Sequence, residues 1–429
     1  MIVGAGFAGI DCAKELVNEP VDVTLVDRHN FHTFQPLLYQ VATAGLSSSD
    51  VAYPVRGIFQ DAANVRFRSG EVTGVDWRTN TLLLGGGHDD RLRFDTLVLA
   101  VGATTNWFGV AGAAEHAFPL YGLEDAIRLR NHVIAQFERA DADAALLDQG
   151  ALTFVVLGGG PTGVETAGAL TELFGMVFAK DFRRLDVGKA RVVLLEMTDT
   201  VLGPFSARAQ RHALEQLRAR GVDVRLGERV TAVTERAVTL ASGEHLPTRT
   251  VVWAAGVRAN PLADALGVEQ VRGGRIAVTS DLRIPSHANA FVVGDLAAIE
   301  GRDGNLLPQV AQVAKQSGKH VGATIARGLR TPTKAAKPFR YRDRGTMATI
   351  GRNSAVADLP LRLRFTGFFA WVVWLFLHLL YLVGFRNRLS VLLSWGWSYL
   401  TWDRGPRLII ESSTREPATP PELPSAPPA

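Results

Sequence analysis

The chain has 429 residues, 47% hydrophobic and 21% charged, which is ordinary for a globular enzyme of two or three domains. Its net charge of +4 comes from scattered arginines, such as the pairs Arg362/Arg364 and Arg386/Arg388, and gives no basis for a nucleic-acid partner. The single cysteine, Cys12, excludes an intrachain disulfide and a redox-active cysteine pair.

Residues 1–28, MIVGAGFAGIDCAKELVNEPVDVTLVDR, read as strand, glycine-rich turn, helix and strand. They lack a charged n-region followed by an apolar h-region and a cleavage site, so a signal peptide is not expected, and the first strand starts so close to Met1 that it is expected to be clipped or to begin upstream. In Gly4-Ala5-Gly6-Phe7-Ala8-Gly9, the first glycine allows a tight turn and the second lets backbone approach a pyrophosphate. The third lets helix pack on strand. The phosphate would rest on the helix N-terminus, where free N–H groups favour anions. Asp27 closes the next strand, about 18 residues beyond Gly9, where an acid can hold both hydroxyls of an adenosine ribose.

RLRFDTLVLAVGA (Arg91–Ala103) is a further strand, and a polar helical stretch follows Gly122. ALTFVVLGGGPTGVETAGAL (Ala151–Leu170) then repeats strand, glycine loop and helix, with Gly158, Gly160 and Gly163 in the fingerprint positions and Pro161 and Thr162 opening the helix. Glu196 ends the strand RVVLLE about 33 residues beyond Gly163; the usual interval is about 20, and the excess fits an insertion at LFGMVFAKDFRRLDVGKA. An acid there repels a 2′-phosphate, so the nicotinamide is expected to be NADH rather than NADPH. TVVWAAGV and FVVGDLA (Phe291–Ala297) complete the pattern. The fold class is therefore α/β, with two doubly wound Rossmann-like domains, the NAD domain inserted in the FAD domain. The expected boundaries are 1–118 and 263–334 for the FAD part, 119–262 for the NADH part, 335–412 for a membrane-docking region and 413–429 for a disordered Pro-rich tail.

Two fingerprints in one chain, together with NFHTFQPLLYQVATAGL (Asn30–Leu46), AVGATTNWFGV, AAGV, FVVGDLA and AQVAKQ (Ala311–Gln316), resemble the pyridine-nucleotide–disulfide-reductase superfamily. Within it they resemble the type II NADH:quinone oxidoreductases, over residues from the first loop to about Trp402. The resemblance implies FAD contacts from Gly4, Gly6, Phe7, Ala8, Gly9, Asp27, Arg28, Gln35, Ala100, Gly102, Gly294 and Asp295. It implies NADH contacts from Gly158, Gly160, Pro161, Thr162, Gly163, Glu196, Ala255 and Gly256. Asp295 can alternatively be a helix N-cap before LAAIE.

Cys12 sits on the first helix and reads as buried packing, so electrons on the flavin must leave to an external acceptor. Gln312 and Gln316 share a helix face, and the resemblance places them at a quinone pocket. Their amides can bond quinone carbonyls without adding charge. Glu165, read as lying in the first turn of the second loop's helix and stabilised by its dipole, is assigned proton handling by the same resemblance. Glu165, Gln312 and Gln316 are thus the catalytic candidates; no metal is needed.

FTGFFAWVVWLFLHLLYLVGF (Phe365–Phe385), about 21 residues, is long enough to cross a bilayer. Its arginine flanks are symmetric, and Trp371, Trp374, Tyr381, Trp395, Trp397, Tyr399 and Trp402 are aromatics of the headgroup region. Docking of residues 365–402 on the cytoplasmic leaflet of a bacterial membrane is favoured over a span. His378, in mid-segment, is expected to be neutral with one hydrogen-bond partner. The expected reaction is hydride transfer from NADH to FAD, then two electrons to ubiquinone or menaquinone, without proton pumping. A soluble NADH:ferredoxin or rubredoxin-type reductase and a membrane-attached NADH-sensing flavoprotein are the alternatives. A homodimer is admissible but not specified by the sequence.

Overall fold

The structure is a computed structural model that describes residues 1–85, 90–331, 336–401 and 404–409. Trp402 and the Pro-rich tail lie outside the described residues. Two parallel sheets carry the fold. The first has the order Arg283–Ile284, His287–Val292, Leu97–Leu99, Ile2–Val3, Val23–Asp27 and Val65–Ser69, parallel except at its Arg283–Ile284 edge. The second, Phe118–Pro119, Thr250–Trp253, Thr153–Leu157, Arg191–Glu196 and Val222–Leu226, is parallel throughout. All of its strands fall between Leu97–Leu99 and His287–Val292 in the chain, yet those two pair directly, Val98 opposite Phe291. The NAD sheet is therefore inserted in the FAD sheet. Its central strands bury both faces, which is why they read as continuous apolar runs.

Helix α1 (Phe7–Glu15) follows the first glycine loop and α2 (Pro161–Glu172) the second. The extra residues beyond α2 form a π-turn, Leu173–Phe178, whose Phe174 and Phe178 stack with Phe137, Phe154 and Phe182. That aromatic cluster accounts for the long interval before Glu196. Helix α3 (Ala311–Arg330) lies against α1 at very short range. A Cβ on Gly318 would come within 2.0 Å of the Ala8 carbonyl oxygen, and one on Gly322 within 2.6 Å of the Cys12 oxygen. Cys12 is fully buried in this contact, and burial pushes its thiol up to about 12, so it is inert packing.

The C-terminal region is an antiparallel meander, Thr346–Gly351, Ser354–Leu359 and Leu363–Gly367, followed by α4 (Phe368–Tyr381) and α5 (Phe385–Thr401). The meander lies on α2, where a Cβ on Gly168 would sit 2.3 Å from the Ile350 oxygen. The apolar run that could have spanned a bilayer is thus divided. Its first residues join a strand, α4 is 14 residues or about 21 Å long, and the chain breaks at Gly384 (φ +85°). That falls short of a hydrocarbon core of about 30 Å. Among the described residues no helix is long and apolar enough to cross a membrane, which removes the spanning alternative.

The helices are tied down on one side only. Asn387 Nδ2 donates to the Ser49, Asp50 and Ala52 carbonyls, Ser390 Oγ to Asp50 at 2.6 Å, and Trp395 Nε1 to Gln40 at 2.8 Å. The opposite side leaves Phe376 64%, Phe385 80%, Trp397 61% and Leu400 84% exposed.

Candidate functional site

The two glycine loops have the same geometry. Gly4 (φ +105°) and Gly158 (φ +104°) adopt a backbone closed to other residues, and a Cβ on either would strike the carbonyl of Ala100 or Ala254. A Cβ on Gly9 or Gly163 would lie 1.8 Å from the oxygen of Gly4 or Gly158, so only glycine lets each helix start there. Gly6 and Gly160, by contrast, have nothing within 4 Å of an added Cβ. These open positions precede helices whose first N–H groups are unsatisfied, a geometry in which a pyrophosphate could rest.

The terminal acids are locked in matching ways. Asp27 accepts from the Ala5 and His29 N–H groups at 2.6 and 2.8 Å, and Glu196 from Gly159 and Thr198 at 2.6 and 2.8 Å. Each carboxylate is pinned beside its own glycine loop, where a ribose would arrive. In the second cradle, Pro161 occupies the first helical turn, the Thr162 carbonyl accepts from Thr166, and Gly256 (φ +142°) bonds Asn106 next to Ala255.

Asp295 is half-buried, and its buried Oδ1 has no hydrogen-bond partner among the described residues. Burial raises its pKa to about 6 against the opposing charge of Arg275, while the Tyr121 hydroxyl favours the ionised form. It is not a helix N-cap, because it lies inside the short 3₁₀ turn Gly294–Leu296, which runs straight into the strand Ala297–Ala298. An orphaned buried carboxylate oxygen beside an open phosphate cradle fits a polyhydroxylated chain such as the FAD ribityl group. Gly294 (φ +69°) donates to Ser317 at 3.0 Å and lies against Ala8. Gln35 reaches the Tyr121 carbonyl, and Gly102 (φ +70°) faces the Tyr121 hydroxyl, so both lie against Tyr121. The Phe7 ring packs inward on His32 and Phe34, leaving its backbone at the cradle. Arg28 pairs loosely with Glu71 at 3.7 Å, both largely exposed.

Glu165 lies one turn deeper in α2 than the first turn, and it is not a dipole-stabilised surface acid. It is buried, and burial raises its pKa to about 8, overriding the hydrogen bond from the Thr349 N–H at 3.2 Å. The Trp374 indole N–H also favours the charged form, though it falls short of a hydrogen bond. The carboxyl faces a cavity of about 70 Å³ walled by Tyr39, Trp371, Trp374, Trp395 and Arg404. That space is polar and roomy enough for water beside the carboxyl. Arg404 closes it by pairing with Glu172 at 3.3 Å and donating to the Thr43 carbonyl at 2.9 Å. Local sequence pattern carried no sign of Tyr39, Glu172, Thr349 or Arg404 in this site, because each arrives through long-range packing.

Gln312 and Gln316 do not line that cavity. Gln312 Nε2 donates to the Gly345 carbonyl at 2.7 Å and its Oε1 accepts from Arg344; Gln316 makes the same pair of bonds with Arg342 at 2.9 and 3.0 Å. They staple the strand-like segment 342–345 to α3, and each amide keeps one N–H and one lone pair. His378 Nδ1 donates to the Trp374 carbonyl at 2.8 Å, and burial lowers its pKa to about 4, so it is neutral as expected.

Paired dinucleotide cradles with their carboxylates, in nested Rossmann sheets, define a flavin- and nicotinamide-dependent oxidoreductase. Residues 1–318 match the pyridine nucleotide-disulphide oxidoreductase family, and residues 344–401 match the NDH2 C-terminal domain. The chain is 39% identical over 424 residues to the type II NADH:quinone oxidoreductase Ndh of Mycobacterium tuberculosis, covering 96% of this chain and 90% of that protein. It is 32% identical over 372 residues to the type II NADH:quinone oxidoreductase of Staphylococcus aureus, covering 84% and 90%. NDH2 from Plasmodium falciparum in complex with NADH shares the fold, with a TM-score of 0.87 over 96% of this chain and 99% of that one at 19% identity. The chain belongs to the type II NADH:quinone oxidoreductases.

Proposed function

We propose that this protein oxidises NADH and reduces a membrane quinone, ubiquinone or menaquinone, without moving protons across the membrane. The observation that carries it is the second cradle, built like the first and closed by Glu196, in a chain whose one cysteine is sealed in the core. FAD, when bound in the first loop, would supply the redox chemistry that connects NADH to the acceptor. The protein positions and protonates. Gly6 and Gly160 present helix N-termini to the two pyrophosphates, Asp27 and Glu196 hold the adenosine riboses, and Asp295 with Tyr121 holds the ribityl chain. Glu165, protonated at neutral pH, holds a proton for quinol formation. Gln312 and Gln316 present their remaining N–H groups to the quinone carbonyls. The exposed face of α4 and α5 is read as seated in the cytoplasmic leaflet, the side where NADH is found.

The test is stopped-flow mixing of the FAD-loaded protein with NADH and then with a soluble quinone. Flavin absorbance is expected to bleach and then recover. Bleaching without recovery on quinone, but with recovery on ferredoxin or rubredoxin, would replace this reading by the soluble-acceptor one.

A further inference from the structure

A larger cavity, about 270 Å³, lies between α1, α3 and the break before α5, outside the Glu165 pocket. Its polar wall is Lys14, Lys315, Arg388 and Asp11; its apolar wall includes Phe7 and Leu380. Asp11 is committed to Lys315 at 2.9 Å. Among the described residues no carboxylate pairs with Lys14 or Arg388, and Arg388 only donates Nε to the Leu382 carbonyl at 2.8 Å. Burial lowers the Lys14 pKa, with the Lys315 and Arg388 charges adding to it and Asp11 opposing. His32, on the same wall, is neutral because burial lowers its pKa to about 4. Three cations against one acid leave an uncompensated positive cavity. This charge does not serve the FAD pyrophosphate: Lys14 lies two turns beyond Gly6 along α1, roughly 12 Å. A neutral quinone would gain nothing from it.

The cavity also has an apolar exit. Leu380, which lines it, is 51% exposed and belongs to the unpartnered face of α4 that includes Phe376, with Phe385 just beyond at the start of α5. We propose that this cavity binds the headgroup phosphate of an anionic phospholipid between Lys14, Lys315 and Arg388, with the acyl chains lying along Leu380 and Phe385. The site rests on the membrane-docking reading, and it turns a general affinity for membranes into selection of one lipid charge.

The test uses the FAD-loaded full chain, co-sedimented with vesicles of phosphatidylcholine alone and of phosphatidylcholine containing phosphatidylglycerol. Wild type should prefer the anionic vesicles. Lys14→Gln and Arg388→Gln should each weaken that binding roughly fivefold, at about the contribution of one basic residue near an anionic surface. Binding to phosphatidylcholine alone, and flavin reduction by NADH, should stay unchanged. Arg386→Gln, beside α5 but outside the cavity, should cost less. Native mass spectrometry of wild type should retain one phosphatidylglycerol per chain. Equal losses in all three variants would overturn the proposal in favour of a diffuse charge effect. An unchanged lipid preference with a raised quinone KM would overturn it in favour of a quinone channel. Failure to bind either vesicle would overturn the docking reading itself.

Discussion

Glu165→Gln separates proton handling from everything else in the site. The amide matches the carboxyl in shape and keeps an oxygen for the Thr349 N–H. The wild-type carboxyl is raised by burial from its ordinary 4.5 to about 8. Between those values the folded chain holds a proton that the unfolded chain has released. Stability is therefore fully present below about 4.5 and is lost as pH rises to about 8, at about 1.4 kcal/mol per pH unit. The loss reaches on the order of 3 kcal/mol at pH 7 and somewhat more at pH 8. Glutamine cannot ionise, so the variant lacks this slope. Thermal midpoints of the FAD-loaded proteins, followed from pH 5 to pH 9, should converge at the acid end and diverge by several degrees at pH 8, the variant higher. In stopped flow the variant should be reduced by NADH at the wild-type rate but reoxidised by quinone at least tenfold more slowly. Wild-type reoxidation should also fall above pH 8 as the proton is lost. Parallel melting curves across this range would show that the carboxyl is not held protonated by the fold, and normal reoxidation would remove it from the proton path.

Glu196→Gln removes the charge that faces a 2′-phosphate while keeping an acceptor for the Gly159 N–H; steady-state assays should show the NADH-to-NADPH preference falling about tenfold, mainly through the KM for NADPH. Gln316→Ala should slow flavin reoxidation by quinone and leave reduction by NADH intact; equal slowing of both halves would point to a displaced 342–345 segment instead. Phe376→Ser with Trp397→Ser removes two exposed side chains from the helical face, each contributing roughly 2 kcal/mol if buried in lipid, so membrane flotation should fall by more than tenfold with no change in FAD content.

The two glycine loops and the acids beside them are legible because their geometry is local. A glycine at Gly4, Gly6 or Gly9 is required by the turn it sits in, and the acid at the next strand end is brought beside the loop by the βαβ unit itself. The same logic reached Gly158–Gly163 and Glu196 despite the aromatic insertion between them. Glu165 is legible as an acid on the helix of the second loop, but its protonation state is not. Helix position suggested a carboxylate eased by the dipole, whereas the meander and α4 cover it and burial makes the neutral acid the stable form. The glutamine pair was legible as a shared helix face, yet its principal partners, the backbone of residues 342–345, lie 26 to 33 residues downstream and leave no mark on the local pattern.

What the sequence determined by itself was therefore the redox plan: two nested dinucleotide folds, an acid beside each glycine loop, and no cysteine pair to receive the electrons. The tertiary structure decided the exit and its setting. Apolar residues between Phe365 and Phe385 are equally compatible with a span and with a folded face, because hydropathy counts side chains and not partners. Only the pairing of Leu363–Gly367 into a sheet, the close approach of Gly384 to Tyr53, and the anchoring of Asn387 to the Ser49–Ala52 backbone turn that run into two short helices with one dry side and one exposed side.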